Sequence, residues 1–78
     1  NQHVKNGQFV KIAIDSLDEI FPVAQLRAAY KKQVMLGDVL TPHISVTEEG
    51  KLVVVLFNAQ GAVCCIVELE KGKGNEND

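Results

Sequence analysis

The chain has 78 residues, of which 46% are apolar and 23% are charged, and its formal net charge is -2. This composition is typical of one small globular domain. An intrinsically disordered chain would contain fewer apolar residues and more charge. The acidic balance argues against a dedicated nucleic-acid-binding protein, which is normally basic. The longest apolar runs hold about six residues, whereas a membrane-spanning helix needs roughly 20, so no transmembrane segment is expected.

The two ends of the chain are polar. We expect a flexible segment over residues 1–7, a single domain over residues 8–70, and a disordered tail of Gly, Lys, Asn and acidic residues over 71–78. The first residues lack the positively charged and then apolar regions of a secretory signal. We therefore expect a cytoplasmic protein, and favour a domain cut from a larger one over a processed product.

The first element is predicted to be a strand. Between residues 8 and 14, Val10, Ile12 and Ile14 alternate with other residues, which is typical of a strand with one buried face. Residues 16–19 then match a capping box, Ser-Leu-Asp-Glu, which predicts that a helical turn begins there. Pro22 would lie too far inside one straight helix that starts at Ser16, because it lacks a donor N–H and clashes with the preceding turn.

Residues 22–36 are the best helix candidate, since they are rich in Ala, Leu, Gln, Lys and Arg and are followed by Gly37 as a C-cap. Apolar residues recur along this segment at helical spacing and should pack on a sheet: Val23, Leu26, Tyr30 and Val34. Basic residues lie on or beside its polar side or on the preceding strand: Lys11, Arg27, Lys31 and Lys32. They form either a solvated face or a basic contact surface for an acidic partner.

Three strands should follow the helix. Pro42 suits the start of an edge strand over residues 43–47. Glu49-Gly50 then predicts a tight two-residue turn that places Val46 opposite Val53. A three-residue loop would instead turn the outer strand over relative to the central pair.

The second hairpin joins the two most apolar runs. Asn58-Ala59-Gln60-Gly61 fits a type I turn with Gly61 in a left-handed conformation. This turn predicts that Phe57 faces Val63 and that Val55 faces Cys65.

These registers divide the side chains between two faces. The face that the helix should cover carries Ile44, Val46, Val53, Val55, Phe57, Val63, Cys65, Val67 and Leu69. The other face carries Leu52, Val54, Leu56, Ala62, Cys64 and Ile66. Because one helix cannot cover both faces, we predict that the second set binds a partner, as an apolar cluster with a polar rim is suited to do.

No chemistry-bearing motif stands out. Cys64 and Cys65 are adjacent in a strand and should point to opposite faces, which favours two buried thiols over a disulfide or a reactive thiol. Neither His3 nor His43 lies at a metal-ligand spacing from them, and the expected register separates His43 from Cys64 by about 10 Å. We therefore expect no metal, no cofactor and no enzymatic activity.

The element order predicts an α+β domain, β-α-β-β-β, in which one main helix packs on one face of a four-stranded, mainly antiparallel sheet. The first strand should lie beside the fourth, with the two most apolar strands in the centre. The function expected is a non-catalytic protein interaction, oligomerisation or regulatory module that associates through its second sheet face or a sheet edge, with itself as a homodimer or with another protein. The alternative is nucleic-acid binding through the basic side of the helix.

Overall fold

The computed structural model describes residues 6–17 and 21–72, and shows one helix and one sheet there. The elements in chain order are α1 (Asn6–Asp15), β1 (Val23–Tyr30), β2 (Thr41–Val46), β3 (Leu52–Phe57) and β4 (Val63–Lys71). All paired strands are antiparallel, and the sheet order is β1-β4-β3-β2. The predicted fold class, a helix on one face of a four-stranded sheet, is confirmed, and the two most apolar strands are central.

The order of the first two elements was predicted wrongly. Residues 6–15 form α1 instead of a strand, because their apolar residues also fit helical spacing. Phe9 and Ala13, four positions apart, are buried in the core, whereas Ile14 is 42% exposed. An ion pair four residues apart, from Lys11 to Asp15, joins neighbouring turns of the helix surface.

Ser16 comes directly after the last residue of α1. Its backbone N–H donates to the carbonyl of Ile12 at 3.1 Å, and its hydroxyl donates to the same oxygen at 2.8 Å. Ser16 is therefore bonded back to α1, and the helical turn predicted to begin there would run through residues 18–20, which lie outside the described residues. The other polar members of the capping box, Asp18 and Glu19, are among them.

Strand β1 replaces the first part of the helix predicted over residues 22–36. Its residues favour a helix individually, but helix propensity is a weak preference that tertiary pairing overrides. Here β4 pairs with β1 along its whole length, from Val23 opposite Lys71 to Tyr30 opposite Cys65. Gly37 has the left-handed φ (94°) expected of a C-cap, but it lies in a turn that Asp38 closes onto Met35.

The β2–β3 hairpin has a three-residue loop. The N–H of Thr47 donates to the carbonyl of Lys51 at 2.8 Å, and the N–H of Gly50 donates to the carbonyl of Thr47 at 2.9 Å. Gly50 has a φ of 86°, which suits a residue without a Cβ. Val46 consequently pairs with Leu52, so the predicted pairing of Val46 with Val53 is wrong by one residue.

The β3–β4 hairpin has a loop of the same form. The N–H of Asn58 donates to the carbonyl of Ala62, and that of Gly61 donates to the carbonyl of Asn58. The predicted turn and the pairing of Phe57 with Val63 are confirmed.

One residue further along, the pairing changes. Leu56 lies opposite Cys65, so Cys64 is an extra residue in β4 and forms a β-bulge. Val55 therefore faces Ile66, and its predicted pairing with Cys65 is wrong.

Both register differences turn β3 over relative to its neighbours. The covered face, meaning the face under α1, carries Leu52, Val54 and Leu56 from β3 and Cys65, Val67 and Leu69 from β4. The last three were predicted to be in the core and are buried. The buried apolar residues of the described chain are Phe9, Ala13, Val34, Val54, Leu56, Cys64, Cys65, Val67 and Leu69.

The remaining predicted core residues have other positions. Val53, Val55, Phe57 and Val63 lie on the face opposite α1, because β3 is turned over and the bulge follows Val63. Ile44 and Val46 pair with covered-face residues of β3, but they stay 41% and 64% exposed. A 10-residue helix is about 15 Å long and contacts the two central strands, so these edge residues are left uncovered.

The described elements extend slightly beyond the predicted domain limits. Helix α1 begins at Asn6 and β4 ends at Lys71. The N–H of Gly72 donates to the carbonyl of Pro22 at 2.8 Å, which links the end of β4 to the start of β1. The rest of the two predicted end segments, residues 1–5 and 73–78, lies outside the described residues. In the described part of the chain, no helix has the length and apolarity to cross a membrane.

Candidate functional site

The predicted partner-binding set does not form one surface. Val54, Leu56 and Cys64 are at most 1% exposed, and the first two lie under α1. Leu52 is half-buried and packs against the same core, and Ala62 is half-buried at the end of the β3–β4 loop. Of the six residues, Ile66 is the one that pairs with the opposite face of β3. The face assignment was wrong because it depended on the two registers that differ.

The opposite face of the sheet carries a different apolar cluster. We refer to these residues together as the open face: Val53, Val55, Phe57, Val63 and Ile66. Phe57 pairs with Val63 and Val55 pairs with Ile66, so the set is contiguous across the two central strands. All five side chains are half-buried, in contrast to the fully buried residues under α1. Four of these five residues, all except Ile66, were predicted to lie in the core.

Histidine and charged residues border the open face. The ring of His43 lies edge-on to that of Phe57, with 6.4 Å between their centroids. Lys51 Nζ lies 3.5 Å from a carboxylate oxygen of Glu68 and 3.7 Å from one of Glu49. A shallow pocket beside this ion pair is lined by Gln25, Arg27, Lys51, Glu68 and Glu70. One end of this face is thus charged with both signs, and the other end is apolar.

The outer edge of β2 is a second uncovered feature. All six residues of β2 are exposed. Because the Thr47 N–H points towards β3, the alternation of an antiparallel ladder directs the N–H groups of Ile44 and Val46 away from the sheet. The backbone of Pro42 also faces away from the sheet, but proline carries no N–H. We call these outward backbone groups, from Pro42 to Val46, the β2 edge.

The predicted basic surface is divided among several elements. Lys11 lies on α1, where the hydrogen bond and ion pair with Asp15 raise the pKa of its ammonium group. Arg27 lies on β1, and Lys31 and Lys32 follow that strand. The backbone N–H groups of Lys31 and Lys32 donate to the carbonyl of Cys64, at 2.8 and 3.2 Å. All four side chains are exposed, but no helix aligns them as predicted.

The two cysteines are buried thiols without a disulfide partner. Burial raises the pKa of the Cys65 thiol, and the neighbouring Cys64 raises it further, so its reactive thiolate form is disfavoured. Cys64 contributes to a cavity of about 90 Å³ together with Val34, Asp38 and Asn58. Among residues 6–17 and 21–72, His, Cys, Asp and Glu do not gather in a group of three or more that could bind a metal ion.

The positions of the open face and the β2 edge depend on two loops that the sequence encodes in the same way. In each case a polar side chain stands on the residue before the three-residue loop, and Gly is the last residue of the loop. Thr47 Oγ1 accepts the N–H of Lys51, and Asn58 Oδ1 accepts the N–H groups of Gln60 and Ala62. The shared pattern, Thr-Glu-Glu-Gly and Asn-Ala-Gln-Gly, is the signal from which the register of β2 with β3 could have been predicted.

Comparisons with protein-family models, with curated proteins and with solved structures found no match for this chain.

Proposed function

We propose that this protein is a non-catalytic interaction module that associates with a protein partner through the part of its sheet that α1 leaves uncovered. The observation that carries the proposal is the open face itself. Its five apolar side chains lie opposite the helix and remain half-buried. Half-exposed aliphatic and aromatic side chains that adjoin one another gain free energy when a partner removes them from water.

The shape of the open face supports association. Side chains that face each other across neighbouring antiparallel strands have Cβ atoms about 4.5–5.5 Å apart. The pairs Phe57–Val63 and Val55–Ile66 therefore form one continuous apolar surface without a polar residue between them. Large contiguous apolar patches rimmed by polar residues mark interaction sites, and the open face has this arrangement of apolar centre and polar border.

The border of the open face has the composition of an interface rim. On the β2 side, His43 and Ser45 pair with Val55 and Val53. On the β1 side, Arg27 pairs with Glu68, whereas Ala29 pairs with Ile66 and extends the apolar cluster. Association sites typically combine an apolar centre with such a polar rim. The charges at one end would orient a partner, because a wrongly placed like charge is unfavourable.

The proposal is tested by placing a charge in the centre of the open face. In Val55→Asp, the carboxylate can stay hydrated because the side chain is half-buried, so the monomer should remain folded. We expect the substitution to weaken association at least tenfold, measured as molar mass against concentration by sedimentation equilibrium. Circular dichroism of the same samples confirms that the fold is retained.

A matched control is Val39→Asp, which makes the same chemical change at a residue that is 68% exposed and lies in the loop before β2. It should leave association unchanged. Equal association of the two variants would contradict the proposal, and a wild-type chain that stays monomeric up to millimolar concentration would contradict self-association through the open face.

A further inference from the structure

The two edges of the sheet differ in how they are protected against pairing with another strand. Edge strands of natural proteins are usually guarded by charges, bulges or proline. Strand β1 carries Arg27, is irregular between Val23 and Gln25, and is followed by Lys31 and Lys32. The β2 edge has no charged residue between positions 41 and 47, and Pro42 is its one protective feature.

The backbone of the β2 edge limits how a partner strand can pair. The outward N–H groups belong to Ile44 and Val46, and both residues also direct a carbonyl outwards. Pro42 offers a carbonyl alone. A partner strand must therefore present hydrogen-bond donors and acceptors opposite the outward N–H and carbonyl groups of Ile44 and Val46.

A second copy of β2 matches this stretch when the two strands run antiparallel about a two-fold axis at Ser45. The N–H of Ile44 in one copy then donates to the carbonyl of Val46 in the other, and the N–H of that Val46 donates to the carbonyl of Ile44. The two-fold axis repeats this pair of hydrogen bonds on the other side of Ser45. Every outward N–H and carbonyl of these residues is satisfied. A two-fold axis at Ile44 would place Val46 opposite Pro42, and the carbonyl of Val46 would find no donor.

The positions of the side chains are compatible with a two-fold axis at Ser45. Ile44 and Val46 are 41% and 64% exposed on the covered side of the sheet, and the pairing places them beside each other across the axis. The two Ser45 side chains meet in a non-hydrogen-bonded pair, where Cα atoms are about 4.5 Å apart and small residues fit well. His43 lies opposite Thr47 of the other copy, so no like charges face each other.

We propose that two copies of this chain associate edge to edge, with their β2 strands paired antiparallel about an axis at Ser45. The two sheets then form one continuous sheet, and the open faces of both copies lie on the same side. This inference goes beyond the proposed function, since it assigns a second copy of the chain to a different surface. It makes a separate structural claim, because the contacts are made by the β2 edge and not by the open face.

The test uses disulfide formation at the axis in the full chain. In Ser45→Cys, the two new cysteines should be about 4.5 Å apart between Cα atoms, within the range that a disulfide allows. Mild oxidation should convert most of the chain into a covalent dimer, seen by non-reducing electrophoresis. The control is His43→Cys, where the pairing separates the two equivalent residues by four positions, roughly 13 Å, and little dimer should form. The native cysteines are buried and should not compete with the introduced one for oxidation.

A second substitution tests whether the strand edge carries the contact. Val46→Lys, made together with Ser45→Cys, places an ammonium group at an exposed position and should slow the cross-linking at least tenfold while circular dichroism stays unchanged. Cross-linking of Ser45→Cys that is no faster than that of His43→Cys would overturn the edge pairing, as would a rate that Val46→Lys leaves unaltered.

The outcomes separate this inference from the proposed function. Association that Val55→Asp abolishes, without a cross-link at Ser45→Cys, overturns the edge pairing and supports the open face. A rapid cross-link at Ser45→Cys that Val55→Asp leaves unaltered supports the edge pairing, and it contradicts the open face as the basis of self-association.

Discussion

The two sides of β3 differ in burial although their residues are chemically alike. Val54 and Leu56 have no exposed surface, whereas Val53, Val55 and Phe57 are half-buried. All five belong to one uninterrupted apolar run, so hydrophobicity does not distinguish the sides. The two sides are distinguished by the loops and the bulge that set the register of β3 with its neighbours. A one-residue change in that register moves the side chains of β3 to the opposite face of the sheet. Which residues of an apolar strand form the core is therefore decided outside the strand.

The difference in burial between the two sides of β3 is tested most directly by placing a carboxylate on each side. Val54→Asp buries a charge without a partner, and the effective penalty of several kcal/mol is comparable to the whole stability of a small domain, about 5 kcal/mol or somewhat more. We expect this variant to be unfolded at 25 °C by circular dichroism. Val55→Asp should keep a cooperative thermal transition. The opposite order would show that the register described here is wrong.

Truncating side chains to alanine should also destabilise the protein more on the covered side of β3 than on the open face, with smaller effects than a buried carboxylate. Leu56→Ala removes a fully buried side chain and should lower the free energy of unfolding by about 2–5 kcal/mol. Phe57→Ala removes a larger side chain, but one already in partial contact with water, so we expect a loss of about 1 kcal/mol. Urea denaturation measures both. A greater loss for Phe57→Ala would place the core on the open face.

The loops that set the faces can be tested at their glycines. Gly50→Ala and Gly61→Ala should each lower stability by about 1–2 kcal/mol, because a Cβ is unfavourable at positive φ. A Cβ would meet no atom within 4 Å at either position, so the effect is one of backbone conformation. Gly7→Ala, the same change in the first turn of α1, should not lower stability, because a Cβ meets no atom within 4 Å there and helical backbone accommodates it. A gain at Gly50 would contradict its left-handed conformation.

The smallest expected effect concerns the thiol of Cys65 on the covered face. Because burial raises its pKa in the folded protein, the unfolded chain loses this proton first as the pH rises. The contribution to stability is therefore complete below the ordinary thiol pKa, about 8.5, and declines above it. Urea midpoints at pH 7 and pH 10 should show this decline. The decline should be smaller in Cys65→Ala; an identical decline would assign it to another group.

The central hairpin could be predicted from the sequence because its signals are local. Asn58 and Gly61 specify the loop, and the pairing of Phe57 with Val63 follows from it. The β2–β3 loop carries the equivalent Thr47 and Gly50, but Glu49-Gly50 also resembles a two-residue turn, and that choice moved β3 to the wrong face. The bulge at Cys64 has no comparable local signal.

The first two elements were mispredicted for different physical reasons. In residues 8–14, the apolar positions satisfy both a strand and a helix, and only packing against the core selects Phe9 and Ala13 as the buried pair. In β1, the partner strand lies about 40 residues further along the chain, from Cys65 to Lys71. No local pattern reports such a distant pairing, and residues that favour a helix do not prevent it.

The carbonyl of Cys64 accepts hydrogen bonds from the backbones of Lys31 and Lys32, and so joins the end of β1 to the bulge in β4. This contact has a kinetic consequence. The two hairpins close short loops, whereas docking of β1 closes a long one and loses more chain entropy before any contact compensates for it. We therefore expect β1 to dock after the folding transition state. Substitutions in β1 should then accelerate unfolding and leave the refolding rate nearly unchanged.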